Sequence, residues 1–181
     1  IHPDELSFVT GEFIAYVRER LCNSPVPFVL HLDHGGSVKD VMTAINHGFT
    51  SVMIDASLLP FEENIAITKK VVEIAHTVGV SVEGELGTIG DTGTSIEGGV
   101  TEITYTKPNE AKEFVERTGV DTLAIAIGTA HGIYPEGYVP KLKLDLLSEI
   151  AAEVDIPLVL HGGSSNSDDE LKIAVEKGIQ K

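Results

Sequence analysis

Apolar residues come in short dense runs along this chain, and each run is followed by a stretch with helical spacing. Residues 4–22 carry apolar side chains at Phe8, Phe13, Ile14, Val17 and Leu21, a spacing that predicts a helix. The run PFVLHLDH from residue 27 predicts a buried strand. Residues 37–47 predict a helix with Ser37 as its N-cap and Gly48 as its stop. The alternation continues: strand 51–57, helix 60–78, strand 80–87, a Gly-rich loop from about 88 to 106, helix 108–117, strand 122–128, helix 143–153, strand 156–162 and a helix from 168. The strands are rich in Val, Ile and Leu without strict alternation, as in parallel strands covered by helices.

Strict β-α alternation admits two architectures, an open doubly wound sheet or a TIM (β/α)8 barrel. No Gly-x-Gly-x-x-Gly turn follows the first strand, so dinucleotide binding has no support. About five strands are predicted where a barrel has eight. The barrel reading is therefore of a single domain over residues 1–181, incomplete at both ends.

The polar residues sharpen this picture. Each predicted strand runs, at its C-terminal end, into groups able to bind a metal or move a proton. They are His31, Asp33 and His34; Asp55; Glu83 and Glu85; His131; and His161. In parallel α/β folds these ends share one face, where active sites are built. Any one of them is more often an ordinary structural residue. His47 and His76, near predicted helix C-termini, are read that way. Histidines and carboxylates together at successive strand ends are not, because burying such groups is costly unless they are paired or metal-bound. Alternation puts His31 and Asp33 on one face, while His34 falls where the strand is ending and its direction stays open. Three imidazoles with an open fourth position make a catalytic metal site. Nitrogen donors favour zinc, although cobalt, nickel or iron fit the same set.

Small residues flank two of the histidines, in His131-Gly132 and His161-Gly162-Gly163-Ser164. Such turns, followed by a helix start near Ser167, form a nest for an anion such as phosphate. A net charge of −15 argues against a generic nucleic-acid surface, though not against a small phosphorylated substrate. No apolar run approaches a membrane span, and the single cysteine, Cys22, suits a reducing cytoplasm. No lysine falls on a predicted strand, which leaves a Schiff-base mechanism without its nucleophile.

The segments HLDHG (31–35), MIDAS (53–57), VEGELG (82–87), AIGTAHG (126–132) and VLHGGS (159–164) resemble the successive motifs of class II fructose- and tagatose-bisphosphate aldolases. The resemblance runs from about residue 25 to the end. It implies a TIM barrel whose first two strands and last strand lie outside this chain. It also implies that His34, His131 and His161 bind catalytic zinc, and that Asp33 is the acid–base group. Asp55 and Glu85 would hold a second or displaced cation. Gly132, Gly162, Gly163 and Ser164 would bind the phosphorylated half of the substrate. The implied reaction is reversible cleavage of fructose 1,6-bisphosphate to dihydroxyacetone phosphate and glyceraldehyde 3-phosphate, by a homodimer or homotetramer. Tagatose 1,6-bisphosphate cleavage, or another metal-dependent barrel lyase, hydrolase or epimerase, is the alternative. One departure stands out. The family's mobile loop carries a glutamate base, whereas TIGDTGTSIEGGVTE offers Gly93 or a neighbour at that position. Glu97 and Asp91 are the nearest carboxylates, and the missing glutamate lends some weight to a non-catalytic module.

Overall fold

The computed structural model describes residues 1–93, 103–134, 136–138 and 140–181. Their elements run α1 (Pro3–Leu6), α2 (Gly11–Cys22), β1 (His31–Gly35), α3 (Val38–Asn46), β2 (Ser51–Ile54), α4 (Phe61–His76), β3 (Ser81–Leu86), β4 (Gly90–Asp91), α5 (Pro108–Thr118), β5 (Thr122–Ile125), β6 (Ala130–His131), α6 (Leu144–Glu153), β7 (Leu158–Val159) and α7 (Asp168–Glu176). A 3₁₀ turn, Gly163–Ser165, precedes α7.

Five strands pair in the order β1-β2-β3-β5-β7, every pair parallel. The chain ends extend both edges. The Ile1 amine donates to the His31 carbonyl at 2.9 Å, and Asp33 N–H donates to the Ile1 carbonyl. Beyond β7, Ile179 bridges Leu158, and Leu160 N–H donates to the Lys181 carbonyl at 2.9 Å.

The sheet is strongly curled. In a flat sheet at about 4.8 Å per strand the edges β1 and β7 would lie about 19 Å apart. Yet the ring centroids of His34, on β1, and His161, just past β7, are 4.5 Å apart. This arc with helices along its chain is a partial TIM barrel. Leu32, Val52, Ile54, Val82, Leu123, Ile125 and Leu158 face outward and join the main core with residues of the helices, such as Phe114. Among the described residues, Met53, Ala124 and Val159 form a separate small apolar cluster on the inner face.

Several predicted boundaries shift. The helix over 4–22 is two helices, because the Thr10 hydroxyl accepts from Phe13 N–H and starts α2 afresh. Ser37 caps α3 by accepting from Asp40 N–H, as its position predicts. The long loop after β3 contains β4, which pairs in parallel with β6 as a separate two-stranded sheet.

Candidate metal centre

β1 delivers its end residues through an irregularity. The β1–β2 register slips between Leu32 and Gly35, and His34 takes φ 48°, in the left-handed region that non-glycine residues seldom occupy. This bulge turns the His34 ring into the arc. Gly35 completes it: a Cβ there would lie 2.5 Å from the Met53 carbonyl oxygen. Backbone held in this way often marks a functional site.

His34 meets two histidines from other strands. His131 ends β6, and His161 follows β7. One ring nitrogen from each of the three lies within 4.8 Å of the others. The centroids of His34 and His131 are 4.9 Å apart, nearly edge to face. His34, Asp55 and Glu85 form a second group with donor atoms equally close, so His34 stands between both sets.

Carboxylates orient two of the rings. Asp55 Oδ2 lies 3.0 Å from His34 Nδ1, while Asp55 Oδ1 accepts from the Ser57 amide and hydroxyl. Thus Asp55 braces His34 and does not cap α4, whose N-cap is Pro60. Glu83 Oε1 accepts from His161 Nε2 at 2.8 Å. Such imidazole–carboxylate pairs fix ring orientation and raise ligand basicity at metal sites.

Burial alone would push His34 down, but the Asp55 hydrogen bond and the charges of Glu85 and Asp55 outweigh it and carry the group up to about 9. Burial, then the nearby Asp55 charge, pushes Glu85 up to about 8. Asp55 is held below the usual carboxylate range: its bonds to His34 and Ser57 overcome its own burial. The carboxylates around His34 thus favour a positive charge at this position. His34 Nε2 and Glu85 Oε2 are nonetheless buried without a hydrogen-bond partner among the described residues. Unsatisfied buried atoms in a cluster of nitrogen and oxygen donors are what a bound cation would satisfy. The donor set fits a metal.

The glycine turns adjoin this cluster. His131, Gly132, His161, Gly162, Gly163 and Ser164 all line one cavity of about 560 Å³. Gly162 has φ 70°, and a Cβ there would press to 2.8 Å from the Ala130 carbonyl oxygen, so the turn closes tightly onto β6. Asp33 lies on the inner side of β1, its carboxylate 3.9 Å from His31 Nε2, and its charge acts on His34. Asp91 pairs beside His131 through the small sheet and accepts from Gly93 N–H at 2.7 Å. Glu97 lies outside the described residues. His76 pairs with Asp121 at 2.9 Å on the helix-covered side, and His47 is the C-cap of α3.

Two inner-face residues lie beside the predicted metal set. Glu83 is one of the strand-end carboxylates that the sequence singles out. It is buried to 1% exposure and lies between His161 and Lys181. Lys181 runs alongside β7, with Nζ inside the arc 2.7 Å from Glu83 Oε2 and 3.1 Å from His31 Nε2. Lys181 itself lies outside the named strands, and its ammonium is engaged. Alternation along β3 puts Glu83 on the same face as Glu85, but only the curl brings residues 31 and 181 together.

The arc and its imidazole cluster define a metal-capable partial barrel of the (β/α)8 kind. Along residues 1–181 the sequence matches the family model described as fructose-bisphosphate aldolase class-II. It is 42% identical over 172 residues to the D-tagatose-1,6-bisphosphate aldolase subunit GatY of Klebsiella oxytoca, covering 95% of this chain and 60% of the relative. It is 48% identical over 159 residues to a fructose-bisphosphate aldolase of Staphylococcus epidermidis, covering 88% and 54%. In structure it resembles the YdjI aldolase of Escherichia coli K12, with a TM-score of 0.81 and 39% identity over 94% of this chain and 58% of that one. It also resembles a putative fructose-1,6-biphosphate aldolase of Coccidioides immitis, with a TM-score of 0.87 and 30% identity over 99% and 63%. The chain belongs to the class II fructose-bisphosphate aldolase family. It spans 54–60% of the length of these curated relatives. No helix among the described residues is long and apolar enough to cross a membrane.

Proposed function

We propose that the complete protein is a zinc-dependent ketose-bisphosphate aldolase, and that these residues supply its metal-binding arc within a single barrel domain. The observation that carries this is the convergence of His34, His131 and His161, with donor nitrogens within 4.8 Å of one another. Zinc held by these three rings would supply Lewis-acid polarisation of the substrate ketone. Asp55 and Glu85 offer a second cation position around His34. Asp33 moves the proton at the C4 hydroxyl, deprotonating it in cleavage and returning the proton in condensation. Backbone amides of Gly132, Gly162 and Gly163, with the Ser164 hydroxyl, hold the phosphate nearest the ketone. The base that exchanges the proton on the enediolate carbon belongs to the loop after β3, where Asp91 and Glu97 are the carboxylates to test.

Fructose 1,6-bisphosphate is the first substrate to offer, with dihydroxyacetone phosphate and glyceraldehyde 3-phosphate as products. Tagatose 1,6-bisphosphate is the second reading, favoured by the 42% identity to a relative named for it. A cytoplasmic homodimer or homotetramer fits the composition and the family, and light scattering measures the assembly. The deciding experiment is a coupled triose-phosphate assay on the complete protein with each ketose bisphosphate. Cleavage should vanish on chelation and return with zinc. Full turnover after every trace of metal is stripped would refute the proposal.

A further inference from the structure

We propose that Lys181 is a positioning residue whose ammonium, acting through the Glu83 carboxylate, holds the His161 ring with Nδ1 facing the cation. The inference rests on the reading that His34, His131 and His161 bind a metal. Lys181 Nζ donates to Glu83 Oε2 at 2.7 Å, and Glu83 Oε1 accepts from His161 Nε2 at 2.8 Å. With its Nε2–H committed to Glu83, His161 has only Nδ1 left to offer as a donor atom. The same ammonium donates to His31 Nε2 at 3.1 Å, which leaves the His31 proton on Nδ1, where it bonds Ser51 Oγ at 2.8 Å. One ammonium thus sets the ring arrangement of two histidines.

Lys181 also keeps those histidines from competing for Glu83. Glu83 Oε2 stands 3.8 Å from His31 Nε2, with the ammonium bonded to both. Without it, Glu83 is a buried carboxylate with no fixed positive partner, a costly arrangement. Its free oxygen can turn toward His31 and draw the other off His161. His161 then loses its brace, and ligands without such partners typically bind their metal about 10- to 100-fold more weakly.

The test is zinc affinity of the complete polypeptide, measured by competition with a chromophoric chelator, with thermal melting alongside. Lys181→Met should weaken zinc binding about 10- to 100-fold, and Glu83→Gln should fall in the same range. The double variant should be no weaker than Glu83→Gln alone, since both changes break one path. Lys181→Met with native affinity and only a lowered melting temperature would overturn the inference, as would losses that multiply in the double variant. If Lys181→Met does not fold, Lys181→Gln takes its place, and unchanged affinity there is equally fatal. A native protein that binds no zinc would remove the metal reading itself, and this inference with it.

Discussion

The two faces of the sheet are built from alternate residues of the same strands, yet they have almost nothing in common. Outward, Leu32, Val52, Val82, Leu123 and Leu158 join a core continuous with the helices. Inward, the same strands present His31, Ser51, Glu83 and Glu85 around a small apolar floor of Met53, Ala124 and Val159. Apolar burial, at about 25 cal/mol per Å², makes the outer face the source of folding energy. The inner face concentrates buried charge, which weakens a fold unless each group finds a partner or a cation. Stability and chemistry are thereby divided across the thickness of one sheet.

That division can be attacked from either side. On the inner face, Asp33→Ala should lower turnover about 10²- to 10⁴-fold, the usual span for general acid–base catalysis. Zinc content by elemental analysis should stay at the native level, and loss of zinc would make Asp33 part of the metal site. On the outer face, Phe114→Ala should cost about 3–5 kcal/mol of stability in denaturant unfolding. Phe114 is fully buried and packs near Phe61, with ring centroids 6.4 Å apart. Zinc affinity of the folded fraction should not move; if it falls together with stability, the faces are coupled. The smallest effect belongs to Thr10→Ala, which removes the α2 cap for about 1 kcal/mol and should leave turnover unchanged.

How far the sequence could be read follows the same division. Runs such as TLAIAI and SVMI declare buried strands on their own, and the Ser37 cap is visible from one residue. The strand-end histidines could be named as a set because β-α alternation puts strand ends on one side. The direction of His34 could not be read, since the bulge at φ 48° breaks the alternation on which such a reading depends. Lys181 was hidden for another reason. Its partners lie 98 and 150 residues away, and only the curl of the sheet brings them together. Pairing of β4 with β6 spans two residues, too short for any periodicity to betray. In residues 4–22 the apolar spacing ran straight through the Thr10 cap, so a local hydrogen bond outweighed the pattern.

The scatter of the three imidazoles along the chain has a kinetic consequence. His34 and His161 are far apart in the chain and meet only across the curl. Contacts of such long reach form slowly, after most loop closure has already been completed. An ion held between these rings therefore arrives late, as a clasp on an assembled arc. Added zinc should slow the escape from the native state far more than it hastens refolding, and it would set the lifetime of the finished protein.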